Sequence, residues 1–243
     1  MSTDGRLAGK NALITGGSRG IGYAIAAEYA RHGAGVALLS RSRDHLEAAA
    51  ESLREEVAPP ALAVVQADVT REDEVNAAVE SAVARLGHLE ILVNSAGIAS
   101  LGDIDEMPPE EWVRMIDVNL IGVYRVTRAL WPHMKERGEG SIIMISSGSG
   151  RRAHASWSAY CASKFGLMGL ADALAKEGQP HGIRCNIICP GPTDTDQRRS
   201  NFPDEDRSKL LQPEDIAQAA VFFASDESKW VSGPGIDVRR NPI

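Results

Sequence analysis

Tyr160 and Lys164 lie four residues apart in a stretch, 157–176, whose apolar residues (Phe165, Leu167, Met168, Leu170, Leu174) predict a helix, so the two side chains share one helical face. A free phenol has a pKa of about 10 and is a poor base at neutral pH. A neighbouring ammonium favours the phenolate and moves the pKa toward the range where proton transfer is efficient. Ser147 follows the apolar run Ile142–Ile145, and its hydroxyl could donate to an oxygen on which negative charge develops. Ser146 and Ser149 compete for that role, and position alone does not separate them. The chemistry these groups suit is proton exchange with a carbonyl or alcohol oxygen. A tyrosine and a lysine one turn apart are more often a solvated pair, so the reading depends on what surrounds them.

A second set of residues could hold a phosphate-bearing ligand. The first apolar run leads into Thr15-Gly16-Gly17-Ser18-Arg19-Gly20-Ile21-Gly22, and a helical pattern follows. Glycines there permit a sharp turn and close backbone approach to a pyrophosphate, while the helix start offers free N–H groups and a positive dipole end. The spacing is GxxxGxG rather than GxGxxG, and a glycine turn alone is weak evidence. In dinucleotide folds an acid about 20 residues on holds the ribose 2′-hydroxyl. Here Ser40 occupies that place, followed by Arg41, and Arg19 lies in the glycine loop. Two guanidinium groups without an acid suit a 2′-phosphate, which favours NADP(H) over NAD(H).

The elements that must position these groups follow from the alternation of short apolar runs with longer helical patterns. The runs are Asn11–Ile14, Val36–Leu39, Leu62–Val65, Ile91–Val93, Ile142–Ile145, Arg184–Ile188 and Gly235–Val238. Nearly continuous apolarity predicts strands covered on both faces. The expected fold is α/β: a Rossmann-like, doubly wound parallel sheet of about seven strands with helices on both faces, in one domain over residues 1–243. Ligands of such sheets bind beyond the carboxyl ends of the strands. Ala58-Pro59-Pro60 breaks a helix from a strand, and Pro108-Pro109 opens another helix. Segment 193–212, polar and of mixed charge, reads as a long loop or short helices near the site.

With these motifs in order, the chain resembles the short-chain dehydrogenase/reductase family over roughly residues 8–238, and is similar to its NADP(H)-preferring, 3-oxoacyl-carrier-protein reductase-like carbonyl reductases. Thr15–Gly22 resembles the family's cofactor loop. The resemblance implies a cofactor set of Gly16, Ser18, Arg19, Gly20, Ile21, Gly22, Ser40, Arg41, Asp68, Val69, Asn94, Ala96, Gly97, Tyr160, Lys164, Pro190, Gly191, Thr193 and Thr195. Within it, Asp68 would hold the adenine amino group, and Pro190-Gly191 with Thr193 and Thr195 would contact the nicotinamide. Ser95 stands where the family has a second Asn. The implied catalytic set is Asn119, Ser147, Tyr160 and Lys164, with Ser147 preferred because thirteen positions separate it from Tyr160, the family's usual interval. Lys164 would hold the nicotinamide ribose and lower the tyrosine pKa, and Asn119 would position a water relaying protons to Lys164. Ile98, His154 and Trp157 are candidate substrate-pocket residues, with Ala99 and Ser100 as further wall. His154 reads as pocket wall or surface rather than a second acid or base.

Composition limits the partners. The formal net charge of −7 disfavours nucleic acid and anionic membranes. No apolar run approaches the roughly 20 residues of a membrane span, and Met1 to Lys10 lacks a signal-peptide core, so the expected location is the cytoplasm. Cys161, Cys185 and Cys189 are odd in number and form no CxxC pair, which points to buried inert thiols and no metal site. Arg151 and Arg152 are read first as solvated, second as contacts for an acidic substrate or carrier. A short segment after Gly191 should leave a shallow, open pocket, and the brief basic tail Arg239–Ile243 puts tail-mediated subunit contacts in doubt. A homo-oligomer, tetramer or dimer, is expected through helices carrying Trp112, Val113, Met115, Ile116, Val118 and Val123, and the 157–176 helix. The expected activity is NADPH-dependent reduction of a carbonyl compound or oxidation of a secondary alcohol. The rivals are a 3-oxoacyl-[acyl-carrier-protein] reductase, an enzyme oxidising a sugar or hydroxy acid with NAD, and a nucleotide-binding regulator without catalysis.

Overall fold

The computed structural model describes residues 5–233 and 235–240. All seven apolar runs are strands: β1 (Asn11–Thr15), β2 (Gly35–Ser40), β3 (Leu62–Gln66), β4 (Ile91–Asn94), β5 (Gly140–Ile145), β6 (Ile183–Pro190) and β7 (Gly235–Val238). Several run longer than their apolar core because the hydrogen-bond ladder continues across polar closing residues. Thr15, Ser40, Gln66 and Asn94 end β1 to β4, and these carboxyl ends face the ligand side.

The strands form one parallel sheet in the order β3-β2-β1-β4-β5-β6-β7. The chain winds outward from β1 through α1 (Gly20–Arg31) to β2 and α2 (Arg43–Glu56) to β3, then returns through α3 (Glu72–Leu86) to place β4 on the other side of β1. The crevice between β1 and β4 is therefore the topological switch point where ligands bind in such sheets. Further helices are α4 (Pro109–Ile116), α5 (Gly122–Arg137), α6 (Ser158–Gly178), α7 (Asp196–Asn201) and α8 (Pro213–Ala224). One core packs α1, α2 and α8 on the sheet through Ile25, Leu46 and Phe223. The opposite core packs α3, α5 and α6 through Val75, Val126 and Leu167. As expected, Pro109 opens α4 at its first turn, and α2 gives way before Ala58, whose φ is positive.

The apolar residues expected to form a subunit contact range from buried to exposed. Met115, Val118, Val123 and Leu167 are core residues, buried within the protomer. Val113 and Phe165 are exposed, and Ile121 and Tyr124, outside the expected set, are exposed with them. The helical apolar stripe is thus wider than the face that packs on the sheet. The three cysteines are buried, and burial alone pushes the Cys185 thiol up to about 12. Among the described residues no helix is long and apolar enough to cross a membrane, and no cluster of His, Cys, Asp or Glu is placed to hold a metal.

The glycine loop folds tightly on itself. A Cβ on Gly22 would lie 2.3 Å from the Gly16 carbonyl oxygen, inside any real contact, and Gly16 itself has φ +67° with the Ala96 backbone 3.0 Å from its virtual Cβ. Gly22→Ala should therefore destabilise the fold by about 1–3 kcal/mol, the usual range for forced overpacking, and loosen the turn before α1. Urea unfolding of the cofactor-free protein measures the first effect, and NADPH titration the second.

Candidate active site

Loops from the carboxyl ends of β1 to β6 line one cleft of about 890 Å³. On one side the glycine loop delivers Ser18, Arg19 and Gly20 to the start of α1, whose first-turn amides have no helical partner. The loop is tied to the next strand end by Thr15, whose Oγ1 accepts from the amides of Ser95 and Ala96, both at 3.0 Å. This clamp fixes the distance between the two walls of the switch-point crevice.

Ser40 and Arg41 line the far end of the cleft, as does Asp68. Arg41 lies 3.9 Å from Asp68, and Arg19 lies 4.0 Å from Asp196, both pairs on the open surface. Such loose exposed pairs contribute little and leave the guanidinium groups available to a phosphate. Asp68 is oriented by an Asx turn: its Oδ1 accepts from the Thr70 amide at 2.9 Å and from the Thr70 hydroxyl at 2.8 Å. Ser42 and His45, which motif reading passed over, also line this end. Ser42 caps α2 by accepting from the His45 amide, a serine-before-helix signal legible in the sequence.

At the centre of the cleft stand Ser147, Tyr160 and Lys164. Ser147, in extended backbone two residues past β5, caps a short helical turn by accepting from the Ser149 amide at 3.1 Å. Ser146 is occupied elsewhere: it is buried and donates to the Lys164 carbonyl at 3.1 Å. Lys164 is buried, and its Nζ donates to the Ile145 carbonyl at 2.9 Å. An ammonium has three donors, so the remaining hydrogens face the cleft. Its Nζ lies 5.6 Å from the Tyr160 ring centroid.

Burial dominates the electrostatics here. It lowers the Lys164 pKa to about 8 and raises that of Tyr160, against a smaller lowering from the Ser147 hydroxyl beside the phenol. The expected lowering of the tyrosine pKa by Lys164 is thus not the ruling effect in the ligand-free cleft. Tyr160 rests as a neutral phenol, the form suited to giving a proton.

Most of the sequence-derived residues converge on this cleft, among them Val69, Ala96, Gly97, Pro190, Gly191, Thr193 and Thr195, with Ile98, His154 and Trp157 on the substrate side. Asn94 and Asn119 do not. Asn94 is buried, donates to Thr127 Oγ1 at 3.1 Å, and its Oδ1 has no protein partner. The short strand β4 ends on it, and alternation turns its side chain into the α5 layer rather than outward. Asn119 sits in a π-helical turn, Asp117–Ile121, between α4 and α5. Its amide clamps the Ile98 backbone, accepting from the N–H and donating to the carbonyl, each at 2.8 Å, and it also donates to Ser163 at 3.2 Å. Both amide hydrogens are engaged, so what remains for a relay water is an Oδ1 lone pair. The extra residue of the π turn is what aims Asn119 at the loop after β4, a common use of such turns. Ser100 also leaves the wall, its hydroxyl donating to Glu111 at 2.7 Å.

Segment 193–212, expected to be a long loop or short helices near the site, forms part of the cleft wall. It holds α7 and a short helical turn, and it folds back on the site. Phe202 stacks on Trp157 with ring centroids 5.9 Å apart, and Trp157 meets Tyr160 edge-on at 5.2 Å. The Arg198 guanidinium lies over the Phe202 ring at 3.8 Å and forks onto Glu205 through two bonds of 2.6 Å. Asn201 donates to the Ala99 carbonyl at 3.2 Å, joining the segment to the loop after β4. Aromatic stacking and one bidentate ion pair make this segment a wall.

This cleft and sheet agree with what comparison finds. The family model for short chain dehydrogenase matches residues 10–206. Oxidoreductase UcpA of Salmonella typhimurium is 40% identical over 94% of this chain and 92% of its own length. The 3-oxoacyl-[acyl-carrier-protein] reductase FabG of Chlamydia trachomatis is 36% identical over 96% of this chain and 97% of its own. Among solved structures, a gluconate 5-dehydrogenase from Burkholderia cenocepacia in complex with NADP and tartrate superposes with TM-score 0.90 at 32% identity, covering 96% of this chain and 95% of that one. Carveol dehydrogenase from Mycobacterium avium in complex with NAD gives TM-score 0.88 at 31% identity over 97% and 98%. The chain belongs to the short-chain dehydrogenase/reductase family, nicotinamide-dependent oxidoreductases acting on CH–OH and C=O groups.

The buried ammonium has a measurable consequence. The folded chain holds the Lys164 proton less tightly than the unfolded chain, so this group makes the cofactor-free protein more stable as pH rises from about 8 toward 10.5. Lys164→Met should raise cofactor-free stability at pH 7 by about 1–3 kcal/mol, with the gain shrinking at pH 9.5. Paired urea titrations at the two pH values check the sign.

Proposed function

We propose that the protein is an NADPH-dependent carbonyl reductase, reversibly an alcohol dehydrogenase, acting on a ketone or secondary alcohol. The observation that carries this reading is the meeting of Ser147, Tyr160 and Lys164 with the glycine loop in a single cleft. The residues fit a dinucleotide: Gly22 and Gly16 leave no room for a side chain in the turn, α1 begins at its edge, and Lys164 lines the cleft with donors beyond the one given to Ile145. When bound, the nicotinamide supplies the hydride.

The chain's own residues do the rest. The Ser147 hydroxyl donates to the carbonyl oxygen and holds it beside the Tyr160 phenol. Tyr160 gives its proton to that oxygen as negative charge develops, and the ammonium of Lys164 stabilises the phenolate left behind. In the oxidising direction the same phenolate takes the alcohol proton. Asn119 acts as a positioning residue, fixing the backbone at Ile98 so that the substrate wall and Lys164 keep their spacing. Trp157, Phe202 and His154 line the substrate side, which suits a carbonyl compound with an apolar or aromatic portion.

Preference for NADP(H) rests on Arg19 and Arg41 with Ser40 in place of an acid. Relatives of this fold carry NAD as well as NADP, so the arginines carry the distinction. A homo-oligomer through Val113, Ile121, Tyr124 and Phe165 would cover the exposed apolar face of the α4–α6 layer.

Tyr160→Phe should lower kcat by about 10²–10⁴, the range for general acid catalysis, while the NADPH Kd stays within a few-fold of wild type; unchanged turnover would remove the assignment. Arg41→Ala should weaken NADPH by roughly 10-fold or more, as loss of a charge-assisted bond does, and leave NADH nearly unaffected. Equal weakening of both would show that Arg41 does not read the 2′-phosphate.

A further inference from the structure

A second cavity of about 420 Å³ opens beside the catalytic cleft. The two share Gly148, His154, Gly191 and Pro192, so they adjoin at the substrate end rather than at the adenine end. Arg151, Arg152, Lys209, Arg239 and Arg240 line the second cavity, against one carboxylate, Asp237. This is a local reversal in a chain of net charge −7. Like charges gathered on one face repel one another and weaken the compact state unless an anion joins them.

Several of these cations are held in place. Arg151 donates through Nε to Asp237 at 3.0 Å and through Nη2 to the Gly235 carbonyl. Arg239 shares the same carboxylate, so one negative charge serves two guanidinium groups. Arg240 donates to the Ser208 carbonyl, which brings the end of the described chain against the segment that walls the catalytic cleft. Arg152 is exposed and has no ion pair among the described residues. Oriented guanidinium groups with an excess of positive charge form a receptor for phosphate oxygens, which they bind through paired charge-assisted bonds.

We propose that this groove binds a phosphate-bearing tail of the carbonyl substrate, with the reacting carbonyl at Ser147 and Tyr160 and the tail passing His154. The proposal rests on the carbonyl-reductase reading above and adds the substrate class: a carbonyl compound whose far end is a phosphate ester. No covalent step occurs at the groove; it contributes binding alone.

The test compares acetoacetyl-coenzyme A with acetoacetyl-N-acetylcysteamine, which present the same ketone and thioester with and without phosphates. At saturating NADPH, wild-type kcat/KM should favour the coenzyme A ester by at least about 10-fold, the worth of one charge-assisted bond, and the preference should fall at high salt. The double variant Arg152→Glu, Arg240→Glu changes only exposed side chains. It should remove that preference and leave the short thioester within about 2-fold, one bond's worth being far larger. Equal kcat/KM for the two esters in wild type, or a preference that survives the double variant, would overturn the proposal. Inorganic pyrophosphate should inhibit reduction of the coenzyme A ester and spare the short one; equal inhibition of both would make the groove an effector site and overturn the tail assignment. If neither thioester oxidises NADPH, calorimetric titration of coenzyme A into NADPH-saturated protein decides. Binding that the double variant weakens upholds the groove while the carbonyl reading fails on its own assay, and absence of binding overturns the groove.

Discussion

One ammonium group, Lys164 Nζ, is buried at the carboxyl edge of the sheet with a single protein acceptor, the Ile145 carbonyl. Burying a charge with so little compensation is unfavourable, and its lowered pKa expresses that. Much of the surrounding structure bears on holding it there. The end of β5 supplies the carbonyl, α6 presents the lysine one turn after Tyr160, and Ser146 fastens the Lys164 backbone to the strand end. The helix cannot shift without moving the charge, so Tyr160 and Ser147 are placed as a consequence of where the lysine must sit. A group unfavourable to the empty fold is useful to a filled one, because a ligand with acceptor oxygens meets donors that the protein has left unpaired.

The parallel sheet makes this arrangement possible. Strands that end at one edge deliver the glycine loop, the serine and the Pro190-Gly191 segment to a common cleft, although they come from distant parts of the chain. Thr15 joins two of these ends directly, and Asn119 joins a third loop to the helical layer below it. These polar clamps hold loops at a spacing that apolar packing, which is non-directional, would not specify. The segment after β6 then closes the substrate side by stacking Phe202 on Trp157.

The architecture was legible in the sequence because its signals are local. Apolar runs marked all seven strands, prolines marked the opening of α4 and the exit from α2, and glycines marked the first turn. The gathering of Ser147, Tyr160, Lys164 and Arg41 on one cleft was legible because each belongs to a motif at a strand end or one helical turn on. Placement was not legible where a side chain's direction depends on tertiary structure. Asn94 turns inward because of its strand register, and Asn119 spends both amide hydrogens because a π turn inserts a residue that no periodicity announces. The packing of segment 193–212 was not legible because it depends on pairs distant in sequence, such as Phe202 with Trp157 and Asn201 with Ala99. Which residues of the 112–131 stripe stay exposed was not legible either, since an apolar stripe does not reveal which part faces the sheet. The basic groove was equally hidden: Arg151 and Arg240 come together only when β7 lies beside β6.

The central claim is that this cleft moves a hydride from NADPH to a carbonyl carbon while Tyr160 protonates the oxygen. Incubating the protein with NADPH carrying deuterium at both C4 positions and a reducible ketone, then analysing the product by mass spectrometry and NMR, tests it most directly. The account predicts one deuterium on the carbinol carbon, and about 10²–10⁴-fold slower formation of that product when Tyr160 is Phe. An alcohol product with hydrogen from solvent at that carbon, or NADPH bound without transfer to any carbonyl of a broad panel, would contradict it.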